Sequence, residues 1–240
     1  MIVKEILRLG AIAVCSVSLL TLSAKADVSY AIGASGNLAT FDTSGTEREG
    51  NSSNTNSSTE TASTSVSEDV IYGSIFAELV QRNGQYGVTL GAAFVPGEAE
   101  LGAKSRTDTT TDGNETNQDD STYKATAEVS DYWEVYLEPT YYIDDNTGIF
   151  VKGAFSQVTV NTLESISSGT DSSAYGNVDV DGVTWGVGVR HRSDNGLLTK
   201  LEYYRTEYDS ITLDSSTGNK NRITADVEQE AVKLSIGYQF

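Results

Sequence analysis

Val232-Lys233-Leu234-Ser235-Ile236-Gly237-Tyr238-Gln239-Phe240 ends the sequence with apolar residues in strict alternation with small or polar ones. In an extended strand successive side chains point to opposite faces. Val232, Leu234, Ile236, Tyr238 and Phe240 therefore share one face, and Lys233, Ser235, Gly237 and Gln239 share the other. A strand with one continuous apolar face needs a core or lipid to cover it. The rest of the chain decides which.

Seven further segments alternate in the same way: Val28–Leu38, Val70–Val80, Tyr86–Val95, Trp133–Tyr141, Ile149–Ser156, Val183–Arg192 and Thr199–Tyr204. Their connections alternate too. Arg82-Asn83-Gly84-Gln85, Asp144-Asp145-Asn146-Thr147-Gly148 and Ser193-Asp194-Asn195-Gly196 are short turns of hairpin type. The other four connections are long, about 40–69, 96–131, 161–182 and 207–230, and rich in Ser, Thr, Asn, Gly and acids. Short turns at one end and long loops at the other predict an eight-stranded antiparallel up-and-down transmembrane β-barrel. A ten-stranded barrel, with an extra hairpin from the 96–131 region, is the alternative. A soluble β-sandwich has no reason to sort its connections, and its outward faces would not carry Trp133, Trp185 and many tyrosines.

The first 26 residues carry Lys4 and Arg8, then a mostly apolar run, then Ala24-Lys25-Ala26. These are the three parts of a secretory signal peptide, with the mature chain expected to begin at Asp27. The apolar run is interrupted by Cys15, Ser16 and Ser18 and falls short of the ~20 residues of a helical span. Cys15 is the only cysteine, so the mature barrel is expected to lack disulfides and to be held by its closed sheet.

Charge is unevenly spread. The chain carries a formal net charge of −18, and 25 of its 34 Asp and Glu residues fall in the four long connections. Such a surface disfavours nucleic acid, whose phosphates require Lys and Arg. Acidic, hydroxyl-rich loops serve solubility first. Divalent-cation or partner binding is the functional reading beside it. On the inward parity, Glu78, Glu134, Glu138 and Glu202 face Lys152, Arg190, Arg192, Lys200 and Lys233. Charges inside a narrow barrel must be paired or hydrated, and eight strands leave an interior just wide enough for side chains. The expected result is an ion-paired plug. If an ion path exists, breaking a pair at Glu138 or Arg190 should open it.

An export signal, eight alternating strands, three short turns, four long loops and the Tyr238-x-Phe240 ending together resemble the small Gram-negative outer-membrane barrels of the OmpA-transmembrane-domain, OmpX and opacity-protein kind. The resemblance spans the mature chain, 27–240, and is architectural, with no shared site motif. It implies that Tyr238 and Phe240 form the signal read by the barrel assembly machinery. It also implies that the barrel sits as a monomer among outer-membrane lipid and lipopolysaccharide, and that it acts as envelope structure or as an adhesin-like ligand of a surface partner. A narrow low-conductance porin is the alternative.

Some barrels of this architecture modify lipid A, and His191-Arg192-Ser193, which holds the single histidine, is with Glu202 or Glu207 the one candidate hydrolytic site. The motif abuts a short turn, on the rim opposite the outer leaflet, and His191 falls on the lipid-facing parity. Catalysis is not expected. Asp179-Val180-Asp181-Gly182 and Asp112-Gly113-Asn114-Glu115 lack the register of a calcium loop. The Asn-x-Ser/Thr sequons at Asn51, Asn56 and Asn114 carry no message in a bacterial envelope. No cofactor or metal is expected.

Overall fold

The structure, a computed structural model, describes residues 27–48, 61–107, 122–166, 175–214 and 222–240. The proposed signal peptide, the three sequons and Asp112–Glu115 lie outside the described residues. Among the described residues, no helix is long and apolar enough to cross a membrane.

Among the described residues, ten strand segments build one closed antiparallel sheet. They are β1 (Asp27–Arg48), β2 (Thr61–Asn83), β3 (Tyr86–Phe94), β4 (Ala99–Thr107), β5 (Thr122–Tyr142), β6 (Thr147–Ile166), β7 (Gly176–Arg192), β8 (Leu197–Tyr208), β9 (Ile211–Asp214) and β10 (Arg222–Gln239). The sheet runs β1-β2-β3-β5-β6-β7-β8-β10, and β10 pairs back onto β1 from Ala31↔Gln239 to Arg48↔Arg222. The ring therefore has eight staves. The two remaining segments add none: β4 pairs with the far part of β5, and β9 with the far part of β10. The hairpin foreseen for a ten-stranded barrel thus exists as β4 and outer β5, but it extends the wall in place of widening it.

The strands run well past the expected limits. The stretch read as the connection 40–69 is strand up to Arg48 and again from Thr61. Parts of 96–131, 161–182 and 207–230 are likewise paired. The barrel wall continues far beyond its apolar belt.

That belt covers one end of the ring. Val28, Ile32, Leu38, Ile75, Val135, Ile149, Val151, Val187, Leu201, Leu234 and Ile236 all point outward and are exposed. Tyr30, Tyr86, Tyr141, Tyr238 and Phe240 edge the belt at the turn rim; Phe94, Trp133, Phe155, Trp185 and Tyr203 lie toward its other edge, as interfacial aromatics do. At ~3.4 Å per residue and a tilt of ~40°, the run Val232–Phe240 climbs roughly 21 Å, close to an apolar band about 25 Å tall. So much exposed aliphatic surface on a closed sheet is the mark of a membrane-spanning barrel.

Where the wall leaves the belt, its backbone is interrupted. Beyond Phe94, β3 stops; Pro96 has no amide to donate, and Gly97 has φ +106°. On the facing strand a register shift falls between Ser130 and Trp133, with Asp131 at φ +52°, a β-bulge that bends β5. At the opposite rim the turns are tight. Gly84 and Gly196 take φ +61° and +88°, a conformation glycine adopts without steric cost. The Asp144 carboxylate accepts the amides of Asn146 (2.7 Å) and Thr147 (2.6 Å), which holds its carboxyl below the usual range. Arg82 ties two turns together, donating to the Gly84 and Asp145 carbonyls at 2.8 and 2.6 Å while stacking on Tyr142.

Candidate functional site

The inward side chains of the belt segment form a stack of polar tiers. Lys200, projecting from β8, reaches the centre of the lumen. Its Nζ donates to Glu78 on β2 and to Glu138 on β5, each at 2.6 Å, and both acids are three staves away around the ring. Arg190 completes this group, 3.4 Å from Glu78 and 3.9 Å from Glu138, and donates to Thr89. Tyr136 donates to Glu78 at 2.9 Å.

A second group holds the other two acids. Glu134 accepts from Lys152 at 2.9 Å and from Lys233, across the lumen, at 3.0 Å. Glu202 lies 3.1 Å from Lys152 and 4.0 Å from Lys233. Each lysine also faces an aromatic ring, Lys152 over Tyr136 at 4.5 Å and Lys233 over Tyr204 at 4.8 Å. Side-chain exposure in these pairs is 8% or less, so the attraction works in a poorly screened environment. The cavity between the two groups is lined by Ser35, Ser235, Phe76 and Ala93 beside the ions, and has room for about one water molecule.

Eight of the nine charges assigned to the lumen thus meet there. Arg192 does not. It is exposed at the last residue of β7, still paired opposite Leu198, where the strand meets the turn rim. Its departure leaves two acids and two bases in each group, so the lumen is charge-balanced. Tyr238 and Phe240 lie on the outer face at the seam. Phe240 and Tyr30 exchange two backbone hydrogen bonds of 2.9 Å, and the rings of Tyr30, Phe240 and Tyr238 follow one another at 6.3 and 6.4 Å.

Two further tiers escaped the sequence reading. Above the ions, the hydroxyls of Tyr72 and Tyr204 meet at 2.6 Å, and Gln229 joins Tyr72 to Tyr208. Parity places Tyr72 on the inward face with Glu78 and Tyr204 on the inward face with Lys200 and Glu202, but nothing in the sequence links them to Gln229. Higher still, Phe41, Val158, Val160, Val180, Ile211 and Leu213 form an apolar cluster at 4–9% exposure. Its signal was present as an inversion. Within the belt, apolar residues point out and polar ones in; along Gln157-Val158-Thr159-Val160 and Val178-Asp179-Val180-Asp181, the apolar residues point in.

Such a stack of paired ions and hydrogen-bonded tyrosines has the chemistry of a plug. His191 and Ser193 sit at the turn rim, each engaged elsewhere: the His191 ring bonds Thr147 at 3.1 Å, and Ser193 bonds the Leu197 carbonyl at 3.1 Å. Among the described residues no group of three or more His, Cys, Asp or Glu is placed to hold a metal ion.

No family model and no curated protein matches the sequence. Solved structures do. The Yersinia pestis attachment invasion locus protein Ail, solved in complex with the heparin analogue sucrose octasulfate, is 13% identical over 87% of this chain and 99% of its own, with a TM-score of 0.38. The Escherichia coli outer membrane protease OmpT is 9% identical over 92% of this chain and 99% of its own, with a TM-score of 0.47. A Pseudomonas aeruginosa FadL homologue is 8% identical over 88% and 90%, with a TM-score of 0.30. By its own ring closure, belt and turns, the chain has the fold of the small outer-membrane β-barrels, with eight staves around a filled lumen.

Proposed function

We propose that the protein is a non-conducting outer-membrane barrel that reinforces the envelope and carries an acidic, strand-built platform to the cell surface. One observation supports this most: the wall continues beyond the belt, from Leu38 to Arg48 in β1 and back from Thr61 in β2, with a filled interior. A pore needs no such extension. A platform for contact does.

The platform's outer face bears Asp42, Asp69, Asp179, Asp181, Glu207, Asp226 and Glu228. Such a face repels polyanions and attracts basic surfaces. A sulfated sugar of the kind Ail was solved with is therefore a poor fit, and the partner favoured here is cationic.

Attachment assays test this reading. Cells displaying the protein should adhere to a poly-lysine-coated surface more than cells lacking it, and should gain nothing on a heparin-coated one. Replacing Asp42, Asp69, Asp179, Asp181, Glu207, Asp226 and Glu228 by Asn or Gln neutralises the platform's outer face while sparing the belt. The variant should keep heat-modifiable gel mobility, the sign of an inserted barrel, and lose the added adhesion. Equal adhesion with and without the protein would overturn the surface role, and steady conductance from the unmodified protein would overturn the non-conducting one.

A further inference from the structure

Two barriers of different chemistry lie in series along this lumen. The ion-paired groups fill the belt segment. Above the tyrosines, the apolar tier joins staves on opposite walls: Ala39 and Phe41 come from β1, Val158 and Val160 from β6, four staves away, and all belong to one packed cluster. Val180, Ile211, Leu213 and Ala231 belong to it too, and Tyr204 and Tyr208 join it to the tier below, with Val70, Tyr72, Val129, Tyr132 and Val227 packed around. The cluster therefore spans the lumen. Outward residues at the same level, such as Gln157, Thr159 and Asp179, are polar, so this tier lies outside the lipid and behaves as the dry core of a water-exposed sheet.

We propose that this apolar tier is a second seal, independent of the ion pairs, and that it keeps the barrel closed when the ion-paired plug is broken. Hydrophobic constrictions stop ions by excluding the water that ions need. Loss of charge lower down leaves that exclusion untouched. The expectation that breaking an ion pair opens the path is thereby replaced: both tiers must be breached. The inference rests on the reading of the barrel as non-conducting and deepens it.

Planar-bilayer recordings on the purified full-length barrel test it, with heat-modifiable mobility confirming insertion of each variant. The plug variant combines Glu138→Ser with Lys200→Ser. The seal variant combines Phe41→Ser with Val160→Thr. A milder seal variant, Val158→Thr with Val160→Thr and Val180→Thr, keeps β-branched shape throughout and serves if the first fails to insert. Plug and seal variants alone should record like the unmodified protein. Their combination should give steady steps about tenfold or more above that baseline, as expected when the dewetted constriction is lost along with the charges. Steady steps from the plug variant alone would overturn the second seal while leaving the unmodified barrel non-conducting. An inserted combined variant that stays closed would overturn it as well. Steady steps from the unmodified protein would instead remove the reading on which it rests.

Discussion

Glu134 shows how single residues hold this barrel together. It lies on β5 with a side-chain exposure of 1% and serves Lys152 and Lys233 together, at 2.9 and 3.0 Å, while Tyr132 donates to its second oxygen at 3.2 Å. Removing it leaves two lysines around Glu202 alone. Breaking a buried pair by deleting one partner costs about 3–5 kcal/mol, because a charge is left without compensation. Glu134→Ala should lower unfolding free energy by about that amount in urea titrations of the lipid-embedded barrel. Adding Lys233→Ala should restore part of the loss, since Lys152 and Glu202 then remain as a balanced pair. Arg192→Ala, at an exposed rim position, should change stability by no more than about 0.5 kcal/mol. Equal losses for Arg192→Ala and Glu134→Ala would remove the distinction between plug and rim.

Among the elements, the β1–β10 seam carries the closure of the ring. Its inward Gly33 and Gly237 face each other, and a Cβ on Gly33 would stand 2.4 Å from the Ile236 carbonyl and 2.5 Å from the Phe76 ring. The seam is thus drawn tight around an aromatic that packs on bare backbone. At the turn rim it ends in the paired hydrogen bonds of Tyr30 and Phe240. Deleting Phe240 removes both bonds and the ring between Tyr30 and Tyr238. The inserted, heat-modifiable fraction should fall, whereas Lys233→Met, on the inward face, should affect insertion less. Unchanged insertion after loss of both Tyr238 and Phe240 would show that these aromatics carry no assembly signal.

At the scale of the whole molecule, two solvents are matched by one sheet. The belt presents aliphatic residues to lipid, and the extension presents acids and hydroxyls to water. The formal charge of −18 keeps that extension hydrated and repels like-charged surfaces. The protein should fractionate with outer membranes, begin at Asp27 by N-terminal sequencing, and migrate faster unheated than boiled. Recovery of the folded protein from the soluble periplasm would contradict a lipid-facing belt.

Alternation by itself determined the strands of the belt, their inward and outward faces and the antiparallel order, because a side-chain period of two admits one assignment of faces once one face must meet lipid. Eight of the nine lumen charges were legible for the same reason. Arg192 was not, since parity says which way a side chain points and not how close it lies to the open rim. Only the tertiary structure decided that Lys200 reaches both Glu78 and Glu138 across the lumen, because partners three staves apart share no sequence spacing. It also decided that 40–48 and 61–69 are wall. There the alternation of Ser, Thr and acids is weak, and pairing with β10 and β2, not side-chain pattern, holds the strand. The apolar tier depended on both: its inverted phase is written in Val158, Val160, Val178 and Val180, but inward valines become a core only when the opposite wall contributes Ala39 and Phe41 to the same packed cluster.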